Sequence, residues 1–195
     1  MATRLGRFEM PKQVVKDDEV STENYGKFYA EPFEGGYGRT MGNSLRRVLL
    51  SSLEGAAVSS IKIKGAPHEF CSREGVHEDV TDIILNIKQL LFKSYNRDTQ
   101  TVKIKVEGPC EVTAGDIVTA EAIEVLNPDF VICTLAEGGV FEAEMEVRVG
   151  RGYCPADLNK KENQEIGIIP IDCLFSPVRR VKYETENTRV GRRTD

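Results

Sequence analysis

The chain has 195 residues, 40% hydrophobic and 29% charged, enough for one large or two small globular domains with a sizeable core. Its 26 Lys and Arg against 31 Asp and Glu leave a net charge of -5, which argues against nucleic acid being held by overall charge. No apolar run approaches the ~20 residues of a membrane span, and the start, MATRLGRFEMPK, has no signal-peptide core, so the expected compartment is the cytoplasm, away from membranes.

Residues 13–20 and 25–33 alternate around a polar turn at 21–24, which predicts a hairpin ended by Pro32. The next stretch, FEGGYGRTMGNSLRRVLLSSLEG from Phe33 to Gly55, predicts a helix over 41–54. Thr40 is placed to accept from the first free backbone donors, Gly35, Gly36 and Gly38 permit close approach, and Gly55 supplies a left-handed stop. At about 100° per residue, Met41, Leu45, Val48, Leu49 and Leu53 form an apolar stripe that the hairpin is expected to cover. Asn43, Ser44, Arg47, Ser51 and Glu54 lie opposite, with Leu50 among them. That face has two readings. Arg46 and Arg47 are solvated beside a scattered leucine, or Arg47 and Leu50 form a guanidinium fork next to an apolar knob, suited to docking a larger protein.

Residues 58–64 predict a strand with Ile61 and Ile63 on one side and Lys62 and Lys64 on the other. After a loop marked by Gly65, Pro67 and Gly75, the residues Val80, Ile83, Ile84, Ile87 and Leu91 recur at helical spacing. Glu78 and Asp79 sit at the positive end of that helix dipole, Lys88 and Lys93 near the negative end. Residues 101–107 predict a half-buried strand, and Pro109, Gly115 and Pro128 punctuate loops and short strands through Leu135. Over 140–149, Phe141, Ala143, Met145, Val147 and Val149 point inward while Glu142, Glu144, Glu146 and Arg148 point outward. Three carboxylates at spacing two read as a solvent face rather than a metal site. Residues 159–164 predict a mobile charged loop, 166–175 a buried strand, and Pro177 opens a last strand ahead of a basic tail.

Chemistry is poorly supported. Gly36, Gly38 and Gly42 miss the dinucleotide-binding spacing by one residue, and Arg39 and Phe33 break a phosphate-binding loop. No G-x-S-x-G elbow occurs, and His68 and His77 read as loop residues. Cys71, Cys110, Cys133, Cys154 and Cys173 are scattered without a C-x-x-C pair, and read as reduced and mostly buried. The expectation is a chain with no catalytic residue, no metal and no cofactor. Periodicity alone gives an α+β protein, leaving open an interaction module or a small-ligand-binding protein.

GYGRTMGNSLRRVLLSS closely resembles the signature of the bacterial DNA-directed RNA polymerase alpha subunit, in its amino-terminal assembly domain. Further similar segments follow in order: HEFCSREGVHEDVTDIILNIK at 68–88, VICTL at 131–135, GRGYCPAD at 150–157, SPVRRVKY at 176–183, and RVGRRTD at the end. The resemblance implies a sheet-plus-helix dimerisation subdomain, 1–54 and 175–195, with a second mixed α/β subdomain, 55–174, inserted into it. It implies a non-catalytic scaffold that dimerises and gathers the beta and beta-prime subunits of the polymerase for transcription. Arg46, Arg47, Leu50, Ser51, His68, Arg73 and Glu74 would face beta. Lys88, Ser176, Pro177, Arg179 and Arg180 would face beta-prime. Phe33, Met41, Leu45, Val48, Leu49 and Leu53 would line the homodimer interface. Alpha subunits continue past RTD into a strand, a long helix, a linker and a DNA-binding domain. This sequence stops at Asp195, so the resemblance implies a chain lacking its final helix, with its dimerisation in doubt and no direct DNA contact.

Overall fold

The computed structural model describes residues 10–119, 121–160 and 165–187, with the backbone alone of 189–190 and 193–194. In chain order the elements are β1 (Val14–Lys16), β2 (Phe28–Ala30), α1 (Tyr37–Ser51), β3 (Glu54–Ile63), α2 (Val80–Ile87), β4 (Phe92–Ser94), β5 (Gln100–Glu107) and β6 (Cys110–Thr113). They continue with β7 (Ile117–Val118), β8 (Ile123–Val125), β9 (Val131–Leu135), β10 (Val140–Arg151), β11 (Tyr153–Cys154), α3 (Ala156–Asn159), β12 (Ile168–Pro170), β13 (Cys173–Leu174), β14 (Arg189–Val190) and β15 (Arg193–Thr194). The chain divides into two compact units, Met1–Val48 with Arg180–Asp195, and Leu49–Arg179. The result is an α+β protein.

In the first unit β1 and β2 pair antiparallel, and the turn between them is held by Asp17 N–H to the Lys27 carbonyl (2.8 Å) and Thr22 N–H to the Tyr25 carbonyl (2.7 Å). The hairpin is shorter than alternation suggests, and it does not bury the helix stripe. Val14, Val15, Phe28 and Tyr29 are exposed, and no residue of α1 is buried. Two three-residue strands offer too little surface to cover a four-turn helix.

The helix also starts earlier and stops sooner than the capping pattern suggests. Gly36, at φ +78°, makes the turn into α1, so Thr40 lies inside the helix rather than capping it. Gly55 is not a left-handed stop but a residue of β3 with ordinary negative φ. Its lack of a side chain answers a different need, since a Cβ there would overlap the Phe175 carbonyl oxygen. Gly38 and Gly42, one turn apart, form the groove in which the returning tail lies. A Cβ on Gly42 would strike the Tyr183 ring, and one on Gly38 would sit 3.3 Å from the Thr185 methyl.

The second unit holds the core. Its main sheet runs β7-β5-β10-β3-β4-β8, with β12 also pairing on β3, and every pairing is antiparallel. β10 is central because its alternation serves both neighbours. Phe141, Ala143, Met145 and Val147 are buried with Val102 and Ile104 of β5 and Ile61 and Ile63 of β3. On the other face Glu144 pairs with Lys103 (2.5 Å) and Glu142 with Lys64 (2.9 Å), so the acidic row meets lysines of the flanking strands. A bulge at Ser59, where Glu146 opposes Ser60 and Val147 opposes Val58, breaks the ladder. The Ser59 hydroxyl repairs it by donating to the Glu146 carbonyl at 3.1 Å.

Beside the β6-β9 pair, α2 packs on β9 and buries Val80, Ile83 and Ile87. The periodic run to Leu91 overstates the helix, because Phe92 turns into the sheet and Lys93 lies in β4, away from the helix end. Glu78, next to the N-cap of α2, also accepts from the Thr134 N–H (2.7 Å) and hydroxyl (3.0 Å). The 166–175 run is also not one strand. Ile169, Ile171, Cys173 and Phe175 are buried in alternation, but the backbone pairs only as β12 and β13, and Ile166 stays exposed. No strand opens at Pro177, and 176–187 contains none. Only two of the five cysteines, Cys133 and Cys173, are buried. Residues 161–164 of the charged loop lie outside the described residues.

Candidate docking surfaces

On α1 of the first unit, Arg46 and Arg47 are exposed on consecutive positions, while Met41 is half-buried and Leu45 and Val48 are 50% and 51% exposed. Phe33, half-buried, lies 6.5 Å centroid to centroid from Tyr37. Arg180 is exposed. The unit therefore presents an uncovered apolar stripe and two arginines of one helix.

The second unit begins with the last turn of α1, where Leu49 is 36% exposed, Leu50 and Leu53 are half-buried and Ser51 is exposed. Ser176 is 7% exposed, its hydroxyl donating to the carbonyls of Val178 (3.1 Å) and Leu49 (3.5 Å). It supports the chain from beneath, whereas Pro177 and Arg179 are exposed. Glu54 accepts from Arg151 (2.6 Å) and Arg97 (3.1 Å), and the Arg151 hydrogen bond holds its carboxyl below the usual range. This three-residue clamp was not visible in the sequence, since its members are 43 and 97 positions apart.

The loop 68–76 is pinned rather than loose. The Ala136 N–H donates to the Gly75 carbonyl (3.0 Å), His77 N–H to the Thr134 carbonyl (3.0 Å), and Val80 N–H to the Cys71 carbonyl (3.2 Å). Thr81 Oγ1 donates to the Glu69 carbonyl at 2.9 Å. Gly75, at φ +78°, packs against Gly139, and the Arg73 guanidinium lies over Gly65, also at positive φ. His68 and Glu74 project from this frame exposed, with Arg73 half-buried. Lys88, the residue capping α2, donates to both Asp172 oxygens at 2.8 Å.

Among the described residues no group of three or more His, Cys, Asp or Glu is placed to hold a metal ion. None of their helices is long and apolar enough to cross a membrane. The fold is that of an α+β body with a curled antiparallel sheet. Residues 61–176 match the family described as the RNA polymerase Rpb3/RpoA insert domain, more than half of the chain and wholly inside the second unit, and the chain belongs to that family. It is thus an RNA polymerase alpha-type domain, part of a multi-subunit DNA-directed RNA polymerase, a nucleotidyltransferase assembly that carries out transcription.

Proposed function

We propose that the chain is a non-catalytic scaffold of the bacterial alpha type, which dimerises and nucleates assembly of the beta and beta-prime subunits in the cytoplasm. In this reading it carries no cofactor or metal and makes no direct DNA contact. The observation that carries it is a 15-residue helix, α1, that buries none of its own side chains although its apolar residues recur at core spacing. A helix patterned for burial and left uncovered calls for a partner.

Leu45, Val48 and Leu49, with Phe33, Met41 and Leu53, then serve the second copy. Arg46, Arg47, Leu50 and Ser51, with His68, Arg73 and Glu74 on the pinned loop, serve beta. Lys88, Pro177, Arg179 and Arg180, with Ser176 as support, serve beta-prime. The test is capture of purified beta by the tagged chain. Arg47→Ala is expected to reduce capture sharply, and undiminished capture would sink the beta assignment of that face.

A further inference from the structure

β11 and β13 set two cysteines opposite each other. Their register pairs Cys154 with Cys173, and the Phe175 N–H donates to the Gly152 carbonyl at 2.8 Å. Hydrogen-bonded and open pairs alternate along an antiparallel ladder, so two positions from 152/175 the cysteines again form a hydrogen-bonded pair. Their Cα atoms are then about 5.5 Å apart with both side chains on one face. A disulfide spans about 4.4–6.8 Å between Cα atoms, so the backbone already stands at bridging distance.

The side chains agree. One carboxamide joins the two sulfurs: Cys154 Sγ donates to Asn159 Oδ1 at 3.4 Å, and Asn159 Nδ2 donates to Cys173 Sγ at 3.3 Å. Arg148 Nη2 donates to Cys154 Sγ at 3.0 Å, its guanidinium lying 5.4 Å from the Phe175 ring centroid. The Nε of Arg148 is buried with no hydrogen-bond partner. Two facing thiols, a cation against one of them and a single amide between them make a cluster that the scaffold reading leaves unused. Cys110 and Cys133, by contrast, face Leu135 and Val112.

We propose that Cys154 and Cys173 are a modification site, a cross-strand dithiol that a peroxide-class oxidant converts to a reversible disulfide. Cys154 is half-buried and Cys173 is 1% exposed, so peroxide meets Cys154 first. The Cys154 sulfur attacks one peroxide oxygen, the O–O bond breaks, and the departing hydroxide takes up the Cys154 thiol proton and leaves as water, so a sulfenic acid remains. Burial pushes the Cys173 thiol up, against its own direct attack on peroxide. Cys173 Sγ then attacks the Cys154 sulfur, the S–O bond breaks, and the oxygen leaves as water with the Cys173 proton. The pair loses two electrons and two protons, and the peroxide is reduced to two waters.

Opposed Cβ atoms in a sheet stand about 4.5–5.5 Å apart, wider than the 3.5–4.5 Å or so of a disulfide. The bond therefore forms under tension and is easily reduced. It also costs the Asn159 amide its two sulfur partners, while the bond from Asn159 Nδ2 to the Ile171 carbonyl at 2.6 Å remains. The dithiol needs no polymerase partner to react.

The test treats the reduced, folded full chain with hydrogen peroxide, removes the peroxide, unfolds the chain in urea while blocking the remaining thiols by alkylation, and maps the peptides by mass spectrometry. The expected result is a Cys154–Cys173 linked peptide and loss of two of the five thiols, both reversed by dithiothreitol and both unaffected by Cys110→Ser. Cys154→Ser should leave Cys173 alkylated to the level of the untreated chain. The wild-type map decides even if that variant fails to fold. Oxidation of Cys154 to sulfinic acid with Cys173 still alkylated would overturn the proposal, as would equal linkage in chain unfolded in urea.

Discussion

Gly55 and Arg47 illustrate how differently single residues act in this chain. At Gly55 the constraint is steric, because an added Cβ meets the backbone oxygen of Phe175, which cannot swing away as a side chain would. Gly55→Ala is expected to cost about 1–3 kcal/mol or more, read as a lowered denaturant midpoint at unchanged slope. A midpoint equal to wild type would mean that Phe175 gives way freely. At Arg47 the proposed docking to beta makes the constraint chemical. Loss of an interface arginine that becomes desolvated costs about 2–5 kcal/mol of binding, much of it from the partner charge left unpaired. Arg47→Lys should recover little of the beta capture, because a point charge does not replace a planar two-pronged donor. Full recovery by lysine would indicate that only charge matters there.

Among the elements, β10 organises the second unit, pairing with β3 along one edge and β5 along the other. Its two faces should respond differently to mutation. Phe141 is 1% exposed in the core, so Phe141→Ala should cost about 3–5 kcal/mol, lost apolar transfer and a cavity together. Glu144 pairs with Lys103 on the outer face, where the two side chains are 49% and 65% exposed, so Glu144→Ala should cost no more than about 1 kcal/mol. Urea titrations of the two variants give the comparison, and similar losses would contradict the inward and outward assignment. The helices teach the reverse lesson. α2 is held by packing and ends at Ile87, a few residues ahead of β4, while α1 persists with none of its own residues buried.

At the level of the whole molecule, the buried apolar residues among those described run from Val58 to Phe175, all in the second unit. Limited proteolysis should therefore cut first outside Leu49–Arg179 and leave a protected fragment close to that span, identifiable by intact mass. Early cleavage within β10 would refute this. Acid should weaken the same unit. Hydrogen bonds from Arg151, Lys64 and Lys62 hold the carboxyls of Glu54, Glu142 and Glu165 below their ordinary 4.5. A carboxylate whose folded pKa is depressed stabilises the fold above its unfolded pKa, and that contribution is lost as pH falls through the folded value. The thermal midpoint should thus be flat near neutrality and fall below about pH 4.5, with a smaller fall in high salt because the pairs are exposed and screened. A midpoint indifferent to acid would remove these pairs from the account.

Much of this architecture could be read along the chain. The α+β class, the inward and outward residues of β10, the Ile61 and Ile63 side of β3 and the first turns of α2 all follow from local periodicity, because a strand or helix that buries one face must repeat at its own pitch. Periodicity also set Arg47 opposite the apolar stripe of α1, but the burial expected of that stripe is not seen. Elsewhere the deciding contacts join residues far apart in sequence, which no local pattern encodes. Gly55 turned out to answer to Phe175, Gly42 to Tyr183, Glu54 to Arg97 and Arg151, and Cys154 to Cys173. Only folding brings such partners within reach, and there the choice between helix stop and strand, or between isolated thiol and facing pair, is made by packing.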